Sequence, residues 1–133
     1  MEKLIKVIGV FIGLGFLNSW IFALYLPTTG LPGGEVGMAP ILIGIDSLIT
    51  VIISTLIYLL IRNKINLTIT KAILMYQIIY LLTLVFSGVS PLDINMNNDY
   101  GRLTLWTYLI PTFLAFGLIV ITYLFNKVVT TRG

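Results

Sequence analysis

The sequence predicts an all-α integral membrane protein, a four-transmembrane-helix bundle with both termini in the cytoplasm. Three observations lead there. Of the 133 residues, 58% are hydrophobic and 10% charged, with a mean hydropathy of +1.04, more apolar surface than a water-soluble domain of this size can bury. Uncharged apolar runs recur four times along the chain, each near the length of about 20 residues that a hydrocarbon core of about 30 Å requires. Finally, if four spans alternate, Lys3, Lys6, Arg62, Lys64, Lys71, Lys127 and Arg132 all fall on one side, with Arg102 alone on the other. Loop bases gather on the cytoplasmic side, which sets the orientation.

The whole chain, 1–133, reads as one membrane domain. Its first span covers residues 7–26. The opening Met-Glu-Lys-Leu-Ile-Lys and the apolar run after it have the outline of a secretion signal, but the segment is too long and no small-residue cleavage site follows, so it is expected to remain as a helix. Gly9 and Gly13 form a GxxxG strip on which another helix backbone can approach closely, and they are assigned to helix packing, within the bundle or against another subunit. Asn18 lies deeper in the same span.

The connector Leu-Pro-Thr-Thr-Gly-Leu-Pro-Gly-Gly-Glu-Val-Gly-Met-Ala-Pro concentrates helix-interrupting residues, and Pro40 suits the first turn of the next helix. Its first five residues match the pattern that Gram-positive sortases recognise. A sorting signal needs an exported domain before the motif and only one apolar span and a basic tail after it; here one helix precedes it and two further spans follow Arg62 and Lys64. The motif is therefore read as an outer loop.

The second span, 40–61, contains Asp46, about 9 Å below its outer end at about 1.5 Å per residue. A carboxylate at that depth must be protonated, paired or open to water. Thr50, Ser54 and Tyr58 follow it at four-residue steps, which makes a polar ridge along the helix. Gln77, Tyr80, Thr83 and Ser87 in the third span, 69–88, and Thr104, Thr107, Tyr108, Pro111, Thr112 and Ala115 in the fourth, 103–125, supply matching faces. Arg102, the exceptional base, is expected to meet Asp46, directly or through water, and close the outer end of a polar cluster, with a solvated arginine at the headgroups as the alternative. The candidate polar or ion site is thus Asp46, Asn18, Thr50, Gln77, Tyr80, Thr107 and Arg102. Trp20, Tyr25, Tyr100 and Trp106 are placed at the outer headgroup level.

Two motifs are weaker. The loop from Asp93 to Tyr100 begins like an EF-hand calcium loop, but Asn98 replaces the turn glycine and Thr104 the bidentate glutamate. Asn66-Leu67-Thr68 matches a glycosylation sequon on the predicted cytoplasmic side, and so is read as accidental.

Histidine and cysteine are absent, which removes disulfides, thiol nucleophiles, imidazole bases and the usual zinc and haem ligand sets. The net charge of +3 is explained by topology rather than by nucleic acid. One acid within the membrane is too few for acid–base catalysis, so no enzyme, cofactor or metal site is expected. The expected function is that of a small non-catalytic subunit, accessory, immunity or regulatory factor in a plasma-membrane complex, whose partners are the lipid bilayer and another membrane protein or further copies of the chain. The alternative is an oligomeric channel or transporter that moves a proton, cation or small solute past Asp46.

Overall fold

The computed structural model describes residues 1–29 and 35–132. Among them are four α-helices and no strand: α1 (Glu2–Tyr25), α2 (Glu35–Ile61), α3 (Ile69–Phe86) and α4 (Asp99–Arg132). Short 3-10 turns occupy Leu26–Thr29 and Pro91–Asp93. All four helices are long and apolar enough to cross a membrane. Gly30 of the sortase-like motif and the loop 31–34 lie outside the described residues, as do the side chains of Glu35, Asp99 and Tyr100.

The helices extend past the apolar runs because their polar ends also support helical turns. At the start of α1, Lys6 Nζ donates to Glu2 Oε1 at 2.6 Å across one turn, the i,i+4 spacing that favours a helix. In α2 the helix begins at Glu35, so Pro40 lies inside it rather than in its first turn. Proline lacks an N–H, so α2 forgoes one early hydrogen bond there. Thr68 caps α3 by accepting from the Lys71 backbone N–H at 3.4 Å. The threonine of the sequon-like triplet therefore serves as a helix cap.

Successive helices run antiparallel. Lys3 Nζ donates to Asn66 Oδ1, tying the start of α1 to the α2–α3 turn. At the other end Tyr108 Oη donates to the Val89 carbonyl, joining α4 to the segment after α3.

The tightly packed part is α1, α2 and α3. Val7, Phe11, Leu14, Gly15, Asn18 and Phe22 are buried along one face of α1, at the three- and four-residue steps of a helical stripe. Phe11 stacks on Tyr76 (6.2 Å between centroids), Tyr76 stacks on Tyr80 (6.2 Å), and the Tyr58 ring meets Phe11 edge-on at 6.5 Å. Both arrangements suit the quadrupoles of aromatic rings. Gly15 has no room for a side chain, because a Cβ would come within 2.9 Å of Val51 Cγ2 and 3.3 Å of Tyr76 Oη.

α4 is attached differently. Its buried residues, among those described, are Gly101, Thr107, Pro111 and Ala115, the last three a stripe at four-residue steps, and from Phe116 to Arg132 none is buried. By helical rise α4 is about 51 Å long and α3 about 27 Å. Leu118 and Ile119 still rest partly buried on the core, and from Tyr123 to Arg132 every residue of α4 is exposed.

Candidate functional site

The polar residues of the spans turn inward. Asp46, Thr50, Ser54 and Tyr58 are 1%, 0%, 0% and 4% exposed, so the ridge on α2 faces the bundle interior along its length. Asn18, Gln77, Tyr80 and Thr107 are buried too.

Their placement is more divided than one cluster. Asn18, Asp46, Thr50 and Tyr80 belong to the α1–α2–α3 interior. Gln77 instead faces α4, where its Nε2 donates to Thr112 Oγ1 at 3.1 Å. Thr107 donates to its own Leu103 carbonyl at 2.8 Å and lines a separate cavity of about 160 Å³ with Phe22, Ile43 and Val89. The helices differ in azimuth as well as depth, so residues at one level meet different neighbours.

Asp46 has a partner that the sequence reading did not assign to it. Ser87 Oγ donates to Asp46 Oδ1 at 2.5 Å, whereas Arg102 is exposed at the start of α4 and lies within electrostatic reach of Tyr25. The expected direct Asp46–Arg102 contact is therefore corrected: Ser87, at the end of α3, bonds Oδ1, and Oδ2 has no hydrogen-bond partner.

The local backbone explains why Ser87 is there. It is the C-cap of α3, and Gly88 follows with φ +94°. Gly88 N–H donates to the Val85 carbonyl at 3.2 Å and Val89 N–H to the Leu84 carbonyl at 3.1 Å. This pair of bonds is a Schellman motif, which requires a left-handed residue that glycine adopts without strain. The helix thus stops with its last hydroxyl directed onto Asp46.

Below that bond, Thr50 Oγ1 donates to the Asp46 carbonyl at 2.7 Å and approaches Thr83 Oγ1 at 3.4 Å, while Thr83 Oγ1 donates to the Ile79 carbonyl at 2.8 Å. Deeper lies a group that includes two residues the sequence reading passed over, Ser47 and Tyr76. The Tyr76 hydroxyl lies beside Asn18 and Ser47, and the Tyr80 hydroxyl beside Ser47. A signal for both was present. Ser47, Thr50 and Ser54 make a straighter helical row than Asp46, Thr50 and Ser54, and Tyr76 begins the row that continues through Tyr80, Thr83 and Ser87.

Hydrogen bonding in this interior is incomplete. Among the described residues, Asn18 Oδ1 and Nδ2, Asp46 Oδ2, Ser47 Oγ, Ser54 Oγ and Tyr76 Oη are buried with no hydrogen-bond partner. Buried polar atoms are nearly always satisfied, since an unsatisfied one costs about 1–3 kcal/mol.

The glycine strip is placed on the opposite face of α1. Gly9 is exposed and Gly13 half-buried, and a Cβ at either would meet nothing within 4 Å. Packing inside the bundle is therefore assigned to Gly15, about 160° around the helix from Gly13. Gly13 instead edges a groove of about 210 Å³ between α1, α3 and α4, with Val10, Leu17, Ile73, Leu118 and Thr122 on its walls.

The calcium-like loop is committed to its own turn. Asn95 Oδ1 accepts from Asn97 N–H at 2.9 Å, and the Asn95 carbonyl accepts from Asn98 N–H at 3.3 Å. Among the described residues no group of three or more His, Cys, Asp or Glu side chains is arranged to hold a metal. No protein-family model, curated protein or solved structure matches this chain, so its functional reading rests on its own residues.

Proposed function

We propose that this chain is a small non-catalytic subunit or accessory factor of a plasma-membrane complex, with both termini cytoplasmic, and that it meets its partner along the α1–α4 side of the bundle. The observation that carries this reading is the half-seated α4. Its spanning window is 11% buried, against 33% to 39% for the other helices. Where α4 leaves the core, at Leu118 and Thr122, runs the groove edged by Gly13. In lipid the hydrophobic effect does not bring helices together, and close van der Waals approach over small residues is the main attraction available. A partner helix would gain that contact over Gly9 and Gly13, where a Cβ would meet nothing within 4 Å. The basic ends support the orientation.

The absence of cysteine permits a clean test. Single-cysteine variants Gly13→Cys and Leu118→Cys are cross-linked in native membranes, with Ile78→Cys, on an exposed position of α3, as the control. The first two are expected to capture a second membrane protein or a second copy of the chain, and the control is not. Equal capture from all three positions would remove the proposed contact face.

The second reading, an ion pathway at Asp46, is favoured by the unpartnered Oδ2. A pathway in so short a chain would require several copies.

A further inference from the structure

We propose that the α1–α2–α3 interior binds one monovalent alkali cation, of the sodium class, at Asp46 Oδ2. This goes beyond the subunit role and does not depend on it.

Asp46 is 1% exposed, its Oδ1 accepts from a neutral hydroxyl, and its Oδ2 has no partner. No lysine or arginine occurs between Lys6 and Arg62 or between Lys71 and Arg102, so the stretches of α1, α2 and α3 that enclose Asp46 offer no base. An ionised carboxylate in a membrane interior is stable only when its charge is compensated. Since Oδ2 has no hydrogen-bond partner in the chain, either a proton on the carboxyl group or a cation from outside supplies that charge, and the oxygen-rich interior favours the cation.

The surrounding atoms indicate which kind of charge. Asn18 Oδ1, Ser47 Oγ and Tyr76 Oη are buried oxygens with no hydrogen-bond partner, one from each of the three helices, grouped with the Tyr80 hydroxyl, which lies within electrostatic reach of Asp46. Carboxylate, amide carbonyl and hydroxyl oxygens are hard donors, which suit alkali and alkaline-earth ions rather than soft metals. One carboxylate neutralises one positive charge. A divalent ion would leave a net charge buried in the bilayer, which the same cost disfavours.

Access is short. Ser87, whose hydroxyl closes on Asp46 Oδ1, is itself exposed, so the carboxyl group stands one hydrogen bond from the end of the bundle. The binding site joins residues of three helices, and so an ion held there fastens the three together.

The test uses the full-length protein in nanodiscs, unfolded under NaCl, KCl, CaCl2 or choline chloride at matched ionic strength and fixed pH. For one site, the folded-to-unfolded ratio rises tenfold for each tenfold increase of ion above its dissociation constant. That slope is expected with NaCl and is expected to vanish with choline and in Asp46→Asn. Ser87→Ala, which keeps the carboxylate, is expected to retain the slope with a shifted midpoint concentration. Three outcomes overturn the proposal: no response to sodium in the wild-type protein, a response retained in Asp46→Asn, or an equal response to calcium. A stability that follows pH at constant sodium, with no sodium slope, assigns the charge to a proton and also overturns it.

Discussion

Gly13 and Gly15 stand two positions apart on α1, and the bundle uses them in opposite ways. Gly15 faces inward, where its missing side chain makes room for Val51 and the Tyr76 hydroxyl; Gly13 faces a groove and touches nothing that a methyl group would displace. The contrast extends to whole regions. The α1–α2–α3 interior is filled with stacked rings and buried polar groups, while α4 past Ala115 buries no residue at all. A glycine on a membrane helix therefore carries no fixed meaning. Its azimuth relative to the buried stripe decides whether it builds the fold or leaves a surface open.

That contrast is sharpest in equivalent substitutions on the two sides. The largest effect is expected at Phe11, which is 0% exposed and touches both Tyr58 and Tyr76. Phe11→Ala is expected to cost about 3 kcal/mol by equilibrium unfolding in mixed micelles, whereas Phe125→Ala, on the unseated half of α4 at 68% exposure, is expected to stay within about 0.5 kcal/mol of wild type. Comparable losses from the two would mean that α4 packs throughout its length. Next comes Gly15→Leu, where overpacking against Val51 and Tyr76 is expected to cost about 2 kcal/mol in the same assay. A smaller effect is expected from Gly88→Ala. It forces a left-handed φ of +94° on a residue with a Cβ, at a cost of about 1 kcal/mol, and by loosening the end of α3 it is expected to weaken the Ser87–Asp46 bond. Hydrogen exchange at the Val89 amide, which is bonded to Leu84, reports that loosening directly; unchanged protection would show that the cap does not hold the end of α3.

Much of this architecture was legible in the residues. Apolar length marked the four spans because bilayer thickness sets it independently of tertiary detail. The inward ridge from Asp46 to Tyr58 followed from four-residue spacing, since lipid leaves polar groups no other favourable direction. What the sequence did not reveal was azimuth. Nothing in the residue order indicated that Gln77 would turn to Thr112 on α4 while its neighbour Tyr76 met Asn18 and Ser47. The partner of Asp46 was missed for a related reason. Attraction of opposite charges favoured Arg102, but a glycine-dependent helix ending had already placed the Ser87 hydroxyl there. The GxxxG strip was recognised as a packing surface, yet its spacing carries no information about which neighbour it meets.

On this reading the Gly13 face of α1 serves a partner, while the Gly15 face serves the fold. The most direct measurement compares Gly13→Leu with wild type for two quantities: unfolding midpoint in micelles, and recovery of the associated membrane protein or second copy after gentle solubilisation. Gly13→Leu is expected to keep the wild-type midpoint and lose the associated species. Full association with an unchanged midpoint would contradict the claim, because the leucine would then stand on a face that nothing contacts.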